Sequence, residues 1–341
     1  MCIWLVVCWG VYRSIEKSTE QLQAQRQTLN EQVLELESQA ATTESNQPEQ
    51  ADKLRAQANQ LRKQVDDFWK ADWRWLALAG LAYALGMLPS CAYWIMCMNA
   101  MEQRVPVPAA IWAYFYGNLG KYVPGKAMVV IMRVTTLAPF GIRKVATTLA
   151  IFMETLTSMA VGGTVAAICV LFLDVDYRLR WLAVGLLAAT IIPTAPVLLR
   201  LVLRKLQPGV DPSTLDQWTS RLNWKLTLKG WASLGFTWVG FGFSLGCVLY
   251  GLPSTQWLAE TQTEFWLSVY AACALAIVIG FVSLMPGGAG VREVVLATIL
   301  APVVGPTAAL CCAIWLRFTW IVAELLIAGA SYLVKRYWFR R

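Results

Sequence analysis

Residues 117–133, GNLGKYVPGKAMVVIMR, place a Pro-Gly pair and three basic side chains inside a long apolar part of the chain. A second stretch, MPGGAGVRE at residues 285–293, repeats this combination of proline, glycines and charged side chains. Proline removes a backbone donor and glycine weakens a helix, so both stretches predict a helix that breaks. At membrane depth such a break is tolerated only where protein or a water-filled cavity surrounds it.

The rest of the chain has the composition of a membrane protein. Its 341 residues are 57% hydrophobic and 15% charged, whereas soluble domains are about 25% charged. The mean hydropathy is +0.50. Residues 1–12 are short for a span and lack the basic start and cleavage site of a signal peptide, so we interpret them as a short or N-terminally clipped first helix. Apolar runs long enough to span a bilayer, which takes roughly 20 residues, lie near 73–100, 145–173, 181–203, 229–250 and 306–334.

Two absences in the sequence exclude several kinds of chemistry. The chain has no histidine, which excludes Ser-His-Asp or Cys-His catalysis and histidine-ligated metals. Its nine cysteines lie in apolar segments without CxxC spacing, as expected of small buried hydrophobes. We therefore predict no catalytic residue, no metal, no cofactor and no nucleic-acid partner.

Residues 13–72 form the one clearly water-facing region, and their apolar side chains have heptad spacing. The first series runs from Ile15 to Leu36 in steps of seven, and a second runs through residues 51–68. The polar segment 42–50, TTESNQPEQ, separates them. This pattern predicts an antiparallel coiled-coil hairpin outside the membrane, which serves either as a spacer or as a docking site for a partner protein.

Short loops predict the orientation, because the positive residues of such loops stay in the cytoplasm. Loop 204–229 and the C-terminal tail are basic, whereas the charged side chains of loop 251–265 are all acidic. The tail is therefore expected in the cytoplasm and loop 251–265 outside. Arg143-Lys144 and the basic tail both stay cytoplasmic, together with these loops, only if segments 109–140 and 264–304 each enter and leave on one side, as re-entrant hairpins.

Each hairpin is followed by a full helix that carries a charge. Pro124 precedes Glu154 by 30 residues, and Pro286 precedes Arg317 by 31, which is the pattern of an inverted repeat. We predict an all-α, multi-pass protein of the cell (cytoplasmic or inner) membrane, with about six full transmembrane helices and two re-entrant hairpins. The predicted divisions are a first helix at 1–12, an extracytoplasmic hairpin at 13–72, and a transmembrane domain at 73–341 whose repeat halves are 73–173 and 229–334.

The breaks themselves predict an anion site. A helix that starts after a break directs its N-terminal amides toward the membrane midplane, and such an end binds anions. Lys126 and Arg133 lie two turns apart on one face, and Arg292 and Glu293 follow the second break within one turn. A phosphate is the simplest ligand. The alternative is that Lys121, Lys126 and Arg133 reach the membrane surface as topology anchors.

Glu154, Arg317 and Glu324 lie many residues from a helix end. An ionisable group inside a membrane span is functional or paired by default. Arg317 and Glu324 share a helix face two turns apart, so a purely structural ion-pair network is the alternative interpretation.

At these residues the sequence resembles a known family. GKYVPGK followed by Arg133 and Glu154, and MPGGAGVRE followed by Arg317, are similar to the paired signatures of the lysylphosphatidylglycerol synthase transmembrane region, also called the flippase-like family. The resemblance covers roughly residues 73–335 and implies a membrane domain that moves an aminoacylated phospholipid between leaflets. The soluble aminoacyl-transferase domain of the bifunctional members has no counterpart in these residues, so the resemblance implies a transporter and not an enzyme.

The resemblance also implies two half-sites. The first half-site comprises Lys121, Pro124, Gly125, Lys126, Arg133 and Glu154. The second comprises Pro286, Gly287, Gly288, Gly290, Arg292, Glu293 and Arg317. Glu324 is added as a further head-group ligand because of its position inside a span, and not because of the resemblance.

Three functions are compatible with these patterns. The first is a lipid translocase that binds the phosphate-containing head group of a phospholipid or polyprenyl-phosphate lipid at the midplane. The second is an intramembrane transferase with Glu154 or Glu293 as general base. The third is a non-catalytic scaffold that recruits an enzyme through residues 13–72. A membrane lipid is the expected partner, and self-association into a homo-oligomer is left open.

Overall fold

Every secondary-structure element in the described part of the chain is a helix. The computed structural model describes residues 27–43, 47–67, 70–123, 127–173, 223–253, 255, 257–283, 285–288 and 290–338, and positions 23, 177, 181, 184, 185, 218, 220 and 221. Its helices are α1 (27–43), α2 (Pro48–Asp66), α3 (Trp73–Ala100), α4 (Val107–Asn118), α5 (Ala127–Leu137), α6 (Lys144–Phe172), α7 (Trp224–Tyr250), α8 (Gln262–Val282), α9 (Val291–Val304) and α10 (Pro306–Trp338).

The predicted all-α membrane fold is confirmed. Among the described residues, five helices are long and apolar enough to cross a bilayer, namely α3, α6, α7, α8 and α10. Four of them correspond to apolar runs in the sequence. The fifth, α8, was expected only as one arm of a broken hairpin, yet its 21 residues suffice for a span. The apolar run at 181–203 and the short helix at 1–12 lie outside the described residues, apart from three single positions in the former.

The polar N-terminal region contains α1 and α2. Their apolar positions at heptad spacing include buried residues in both helices, such as Val33 in α1 and Ala58 in α2. Arg62 Nη1 of α2 lies 3.3 Å from Glu37 Oε1 of α1, so an ion pair joins the two helices. Placement of this region outside the membrane, and its use by a partner, stay predictions.

A short 3₁₀ turn lies at the second predicted break, and another directly precedes the first, whose Pro124-Gly125 lies outside the described residues. α4 continues into the turn Leu119–Tyr122, and α5 then packs back against α4. In the same way α8 leads through the turn Pro286–Gly288 into α9, which packs against α8. The two turns also contact each other. Because α4 has 12 residues, it is roughly 18 Å long, too short to cross a ~30 Å hydrocarbon core.

Glycines make the second turn and its exit possible. Gly287, Gly288 and Gly290 have φ angles of 57°, 70° and 86°, a left-handed region that costs other residues about 1–2 kcal/mol each. In the first hairpin, a Cβ on Gly120 would lie 2.7 Å from the backbone nitrogen of Val129. Glycine at that position therefore lets the two arms of the hairpin come together.

Close helix packing holds the two hairpins in one bundle. The contact between α3 and α7 is the most extensive of the helix pairs, and Gly86 and Gly240 face each other across it. A Cβ on Gly240 would lie only 2.8 Å from the Gly86 Cα. Small residues at such crossings are typical of membrane helices, where close backbone approach drives association.

Candidate functional site

A small cavity lies where the two breaks meet, and we call it the break cavity. Its volume is about 40 Å³, which holds only water-sized molecules. The polar lining comes from both hairpins and from α10, and the remainder is apolar. The charged and polar lining residues are Lys121, Tyr122, Arg292, Glu293 and Arg317, with Gly287 at the second turn.

Glu324 of α10 links the first break to the long helices. Its carboxylate is 1% exposed and accepts hydrogen bonds from the Tyr83 hydroxyl and from Lys121 Nζ. The Tyr122 hydroxyl donates to Glu324 Oε2 at 2.9 Å. Three donors thus surround one buried carboxylate, and Lys121 supplies the charge that balances it.

Glu293 forms the corresponding pair at the second break. One of its oxygens accepts from Arg317 Nη1 of α10, and Glu293 Oε2 accepts from the Gly290 amide at 2.7 Å. The carboxylate therefore caps the N-terminus of α9 while it balances Arg317. The helix end for which the sequence predicts an anion already holds the chain's own anion.

Arg292 brings a third cation to the break cavity. Its Nε is buried and has no hydrogen-bond partner in the described part of the chain. Its side chain lies in a space left by two glycines, since a Cβ on Gly280 or on Gly288 would come within 2.6 Å of it. Lys121, Arg292 and Arg317 are thus three cations against the two carboxylates of Glu293 and Glu324.

A second buried cluster, the Arg133 cluster, consists of Arg133, Glu154, Ser90, Tyr114 and Trp94. Arg133 Nη1 lies 3.2 Å from Glu154 Oε2. Glu154 Oε1 also accepts from the Ser90 hydroxyl at 2.8 Å and from the Tyr114 hydroxyl at 3.2 Å. The Arg133 guanidinium carbon lies 4.2 Å from the Tyr114 ring centroid and 5.1 Å from that of Trp94, which stabilises the cation through the ring faces.

The residues that the sequence assigns to one site lie in two separate clusters in the structure. Arg133 and Glu154 do not line the break cavity, whereas Lys121, from the same half-site, joins the residues of the second. The side chains of Lys121 and Arg133 form ion pairs with buried carboxylates, whereas topology anchors would extend toward the membrane surface. Arg317 and Glu324, both on α10, each form an ion pair with a residue of one of the hairpins. Pro124, Gly125 and Lys126 lie outside the described residues.

Two tyrosines of the site were not predicted. Tyr122 lies inside the quoted motif GKYVPGK, and a hydroxyl beside two lysines was a usable signal. Tyr83 lies in an apolar run, and nothing in the sequence connects it with Glu324. No three His, Cys, Asp or Glu side chains come close enough to hold a metal ion within the described ranges.

The fold and its buried charges define a multi-pass, all-α membrane protein, and a family comparison specifies it further. Residues 58–328 match the family model described as lysylphosphatidylglycerol synthase TM region. The chain belongs to this family, since well over half of its length is matched. The match begins inside α2, earlier than the resemblance found in the sequence. A search of curated proteins found no match.

Proposed function

We propose that the protein binds the phosphate-containing head group of a membrane lipid in the break cavity and moves that lipid between leaflets. The lipid is a phospholipid or a polyprenyl-phosphate lipid. The observation that carries the proposal is the excess of one positive charge among the described side chains, three cations against two carboxylates. An uncompensated charge is costly in a low-dielectric interior, and an anionic head group compensates it.

Glu293 and Glu324 occupy the positions beside the cations that a phosphate would take. When phosphate oxygens accept from Lys121 and Arg317, each carboxylate retains another donor. Glu324 keeps the hydroxyls of Tyr83 and Tyr122, and Glu293 keeps the Gly290 amide. The exchange therefore leaves no buried carboxylate without a hydrogen bond, which would otherwise cost about 1–3 kcal/mol or more.

The cavity in this conformation is too small for a head group, with a volume of about 40 Å³. Entry requires the two turns that meet at the cavity to separate. We infer that the hairpins move apart on one side of the membrane at a time, while the hydrocarbon chains of the lipid stay in the bilayer. The three cationic side chains stay paired with the phosphate as its counter-ions while the cavity changes the side to which it is open.

An inverted repeat in the cytoplasmic membrane, with the C-terminus in the cytoplasm, belongs to the same proposal. Two hairpins that pack back on themselves, each followed by a charged long helix, support it. Cysteines introduced at Gly209 and Gly305 in a cysteine-free background should react from the cytoplasm and from outside, respectively. Labelling of Gly305 from the cytoplasm would contradict the topology.

The family description suggests the head group. A lysyl ester of phosphatidylglycerol carries a phosphate for the three cations and amino groups for Glu293 or Glu324. An aminoacylated phospholipid thus fits a cavity that contains charges of both signs.

Reconstitution in liposomes tests the function. The purified protein should accelerate leaflet exchange of fluorescent phosphatidylglycerol and of its lysyl ester over protein-free vesicles. Chemical conversion of the lipid without exchange would indicate a transferase instead. If neither exchange nor conversion occurs, the scaffold is the remaining function.

A further inference from the structure

An apolar groove runs between α3 and α10 on the outer face of the bundle, and we call it the lateral groove. Its volume is about 650 Å³. Gly80, Leu81 and Ala84 line it on α3, and Thr319, Val322 and Leu326 are among the residues that line it on α10. Both helices are candidate membrane spans, so the groove faces the hydrocarbon of the bilayer.

The walls of the lateral groove are open and its floor is built from small residues. Leu81, Val322 and Leu326 are 56%, 53% and 68% exposed. At the floor, a Cβ on Gly80 would lie 3.5 Å from Thr319 Cγ2 and 3.8 Å from Ala323 Cβ, which is ordinary contact distance. The two helices therefore close the floor of the groove by direct contact, and the groove opens sideways into the membrane.

On its inner side α10 also lines the break cavity, and Tyr83 of α3 bonds to Glu324 beside that cavity. Tyr83 precedes the groove residue Ala84, and its ring stacks on that of Trp320 with centroids 4.4 Å apart. Trp320 lines the break cavity, and Glu324 follows the groove residue Ala323. The stacked Tyr83 and Trp320 rings therefore lie beside the head-group site, and each is next in sequence to a residue that lines the lateral groove.

We propose that the lateral groove holds a hydrocarbon chain of the transported lipid, and that the Tyr83–Trp320 pair is the gate through which the head group enters. The proposal rests on the proposed function, because the chain and the phosphate belong to one molecule. The lining of α10 from residue 315 to residue 330 extends roughly 22 Å, more than half of a ~30 Å hydrocarbon core. A chain in this slot stays in an apolar medium while its head group leaves the membrane surface.

The gate and the head-group site share a hydrogen bond. Trp320 is held by its Nε1, which donates to Ser244 Oγ at 3.0 Å. The Tyr83 hydroxyl donates to Glu324, the same carboxylate that pairs with Lys121. Because Glu324 keeps its bond to Tyr83 when Lys121 turns to the phosphate, a shift of Glu324 also displaces the Tyr83 ring, and head-group binding is coupled to opening of the gate.

Photolabelling tests the occupant without any requirement for transport. Phosphatidylglycerol with a diazirine in one acyl chain is placed with the wild-type protein in phosphatidylcholine vesicles. Labels should concentrate on Leu81, Val322 and Leu326, several-fold above Phe236 and Val239 of α7, which are 70% and 56% exposed. Equal labelling of both sets would overturn the proposal.

A second probe tests the link to the break cavity. Diacylglycerol with the same diazirine chain has no phosphate and should lose the preference for the lateral groove. A preference that persists without phosphate would overturn the link between the groove and the head-group site. If wild-type protein shows phosphate-dependent labelling of the groove but no leaflet exchange, translocation is wrong and the lipid site stands.

A matched pair of variants tests the groove in transport. Ala84→Trp fills the slot and should slow leaflet exchange of phosphatidylglycerol about tenfold. The control is Leu85→Trp, because Leu85 is 54% exposed on the same helix but does not line the groove. Equal rates for the two variants, at equal yield of folded protein, would overturn the role of the groove in transport.

Discussion

The break cavity and the Arg133 cluster both bury charges in apolar helices, but they differ in balance and in enclosure. The Arg133 cluster pairs one cation with one carboxylate, and the side chains are 2% and 11% exposed. The break cavity has one cation more than carboxylates among its described side chains, and Lys121 is 23% exposed. Arg133 Nε and Arg292 Nε both lack a hydrogen-bond partner among the described residues, so the difference is in charge: a balanced pair needs no counter-ion, whereas an unbalanced group beside a cavity favours an anion. We therefore propose a structural role for the Arg133 cluster, in place of the head-group role expected from the sequence, and a binding role for the break cavity.

The largest expected effect is on stability, at the Arg133 cluster. Arg133→Ala leaves Glu154 buried without its counter-ion, which typically costs about 3–5 kcal/mol. The double variant Arg133→Met with Glu154→Gln removes both charges and should recover most of that loss. Thermal unfolding in detergent measures the difference. If Arg133→Ala unfolds like wild type, the structural assignment is wrong.

The second effect is on transport, at the break cavity. Arg317→Gln or Lys121→Gln removes a hydrogen bond between charged partners, a contribution of about 1.5–3 kcal/mol. Leaflet exchange of phosphatidylglycerol should fall about 10- to 100-fold. Lys335→Gln in the last turn of α10 removes a positive charge elsewhere and serves as control. An unchanged exchange rate in both cavity variants would exclude these side chains from the head-group site.

The smallest expected effects come from glycine-to-alanine substitutions, which should affect exchange at the break cavity and stability at the Arg133 cluster. Gly287→Ala places a side chain at φ 57°, which costs about 1–2 kcal/mol, and should slow exchange several-fold with a modest loss of stability. Gly117→Ala would overlap the Arg133 side chain and should lower the unfolding temperature with little direct effect on exchange. If Gly287→Ala lowered mainly the unfolding temperature and Gly117→Ala slowed mainly exchange, the assignment of binding to the break cavity and of structure to the Arg133 cluster would be wrong. Gly235→Ala is the control, because its Cβ meets nothing within 4 Å.

The sequence predicts the breaks well, because proline and glycine act locally. It places the break at Pro286–Gly288, the charged Arg292 and Glu293 that follow it, and the long α3 and α10. It does not predict which charges meet. Lys121 and Glu324 pair across 203 positions of sequence, and helical periodicity relates only residues within a few turns. For the same reason Arg133 and Lys121, twelve residues apart, were assigned to one half-site, although their side chains pair with different carboxylates.

The Tyr83–Glu324 bond shows a second limit of sequence reasoning. A tyrosine in an apolar run is typical of a membrane interface, so its position alone does not indicate a buried acceptor. Only the packing of α3 against α10 brings the hydroxyl to the carboxylate.

Leaflet exchange by two charge-free double variants tests the central claim most directly. Lys121→Met with Glu324→Gln removes an ion pair of the break cavity, and Arg133→Met with Glu154→Gln removes the pair of the Arg133 cluster. Each variant loses one charge of either sign, so the net charge of the protein does not change. In phosphatidylcholine vesicles with fluorescent phosphatidylglycerol, and at equal amounts of folded protein, the first variant should lose exchange about 10-fold or more while the second stays near wild type. Loss of exchange in the second variant with full activity in the first would contradict the account.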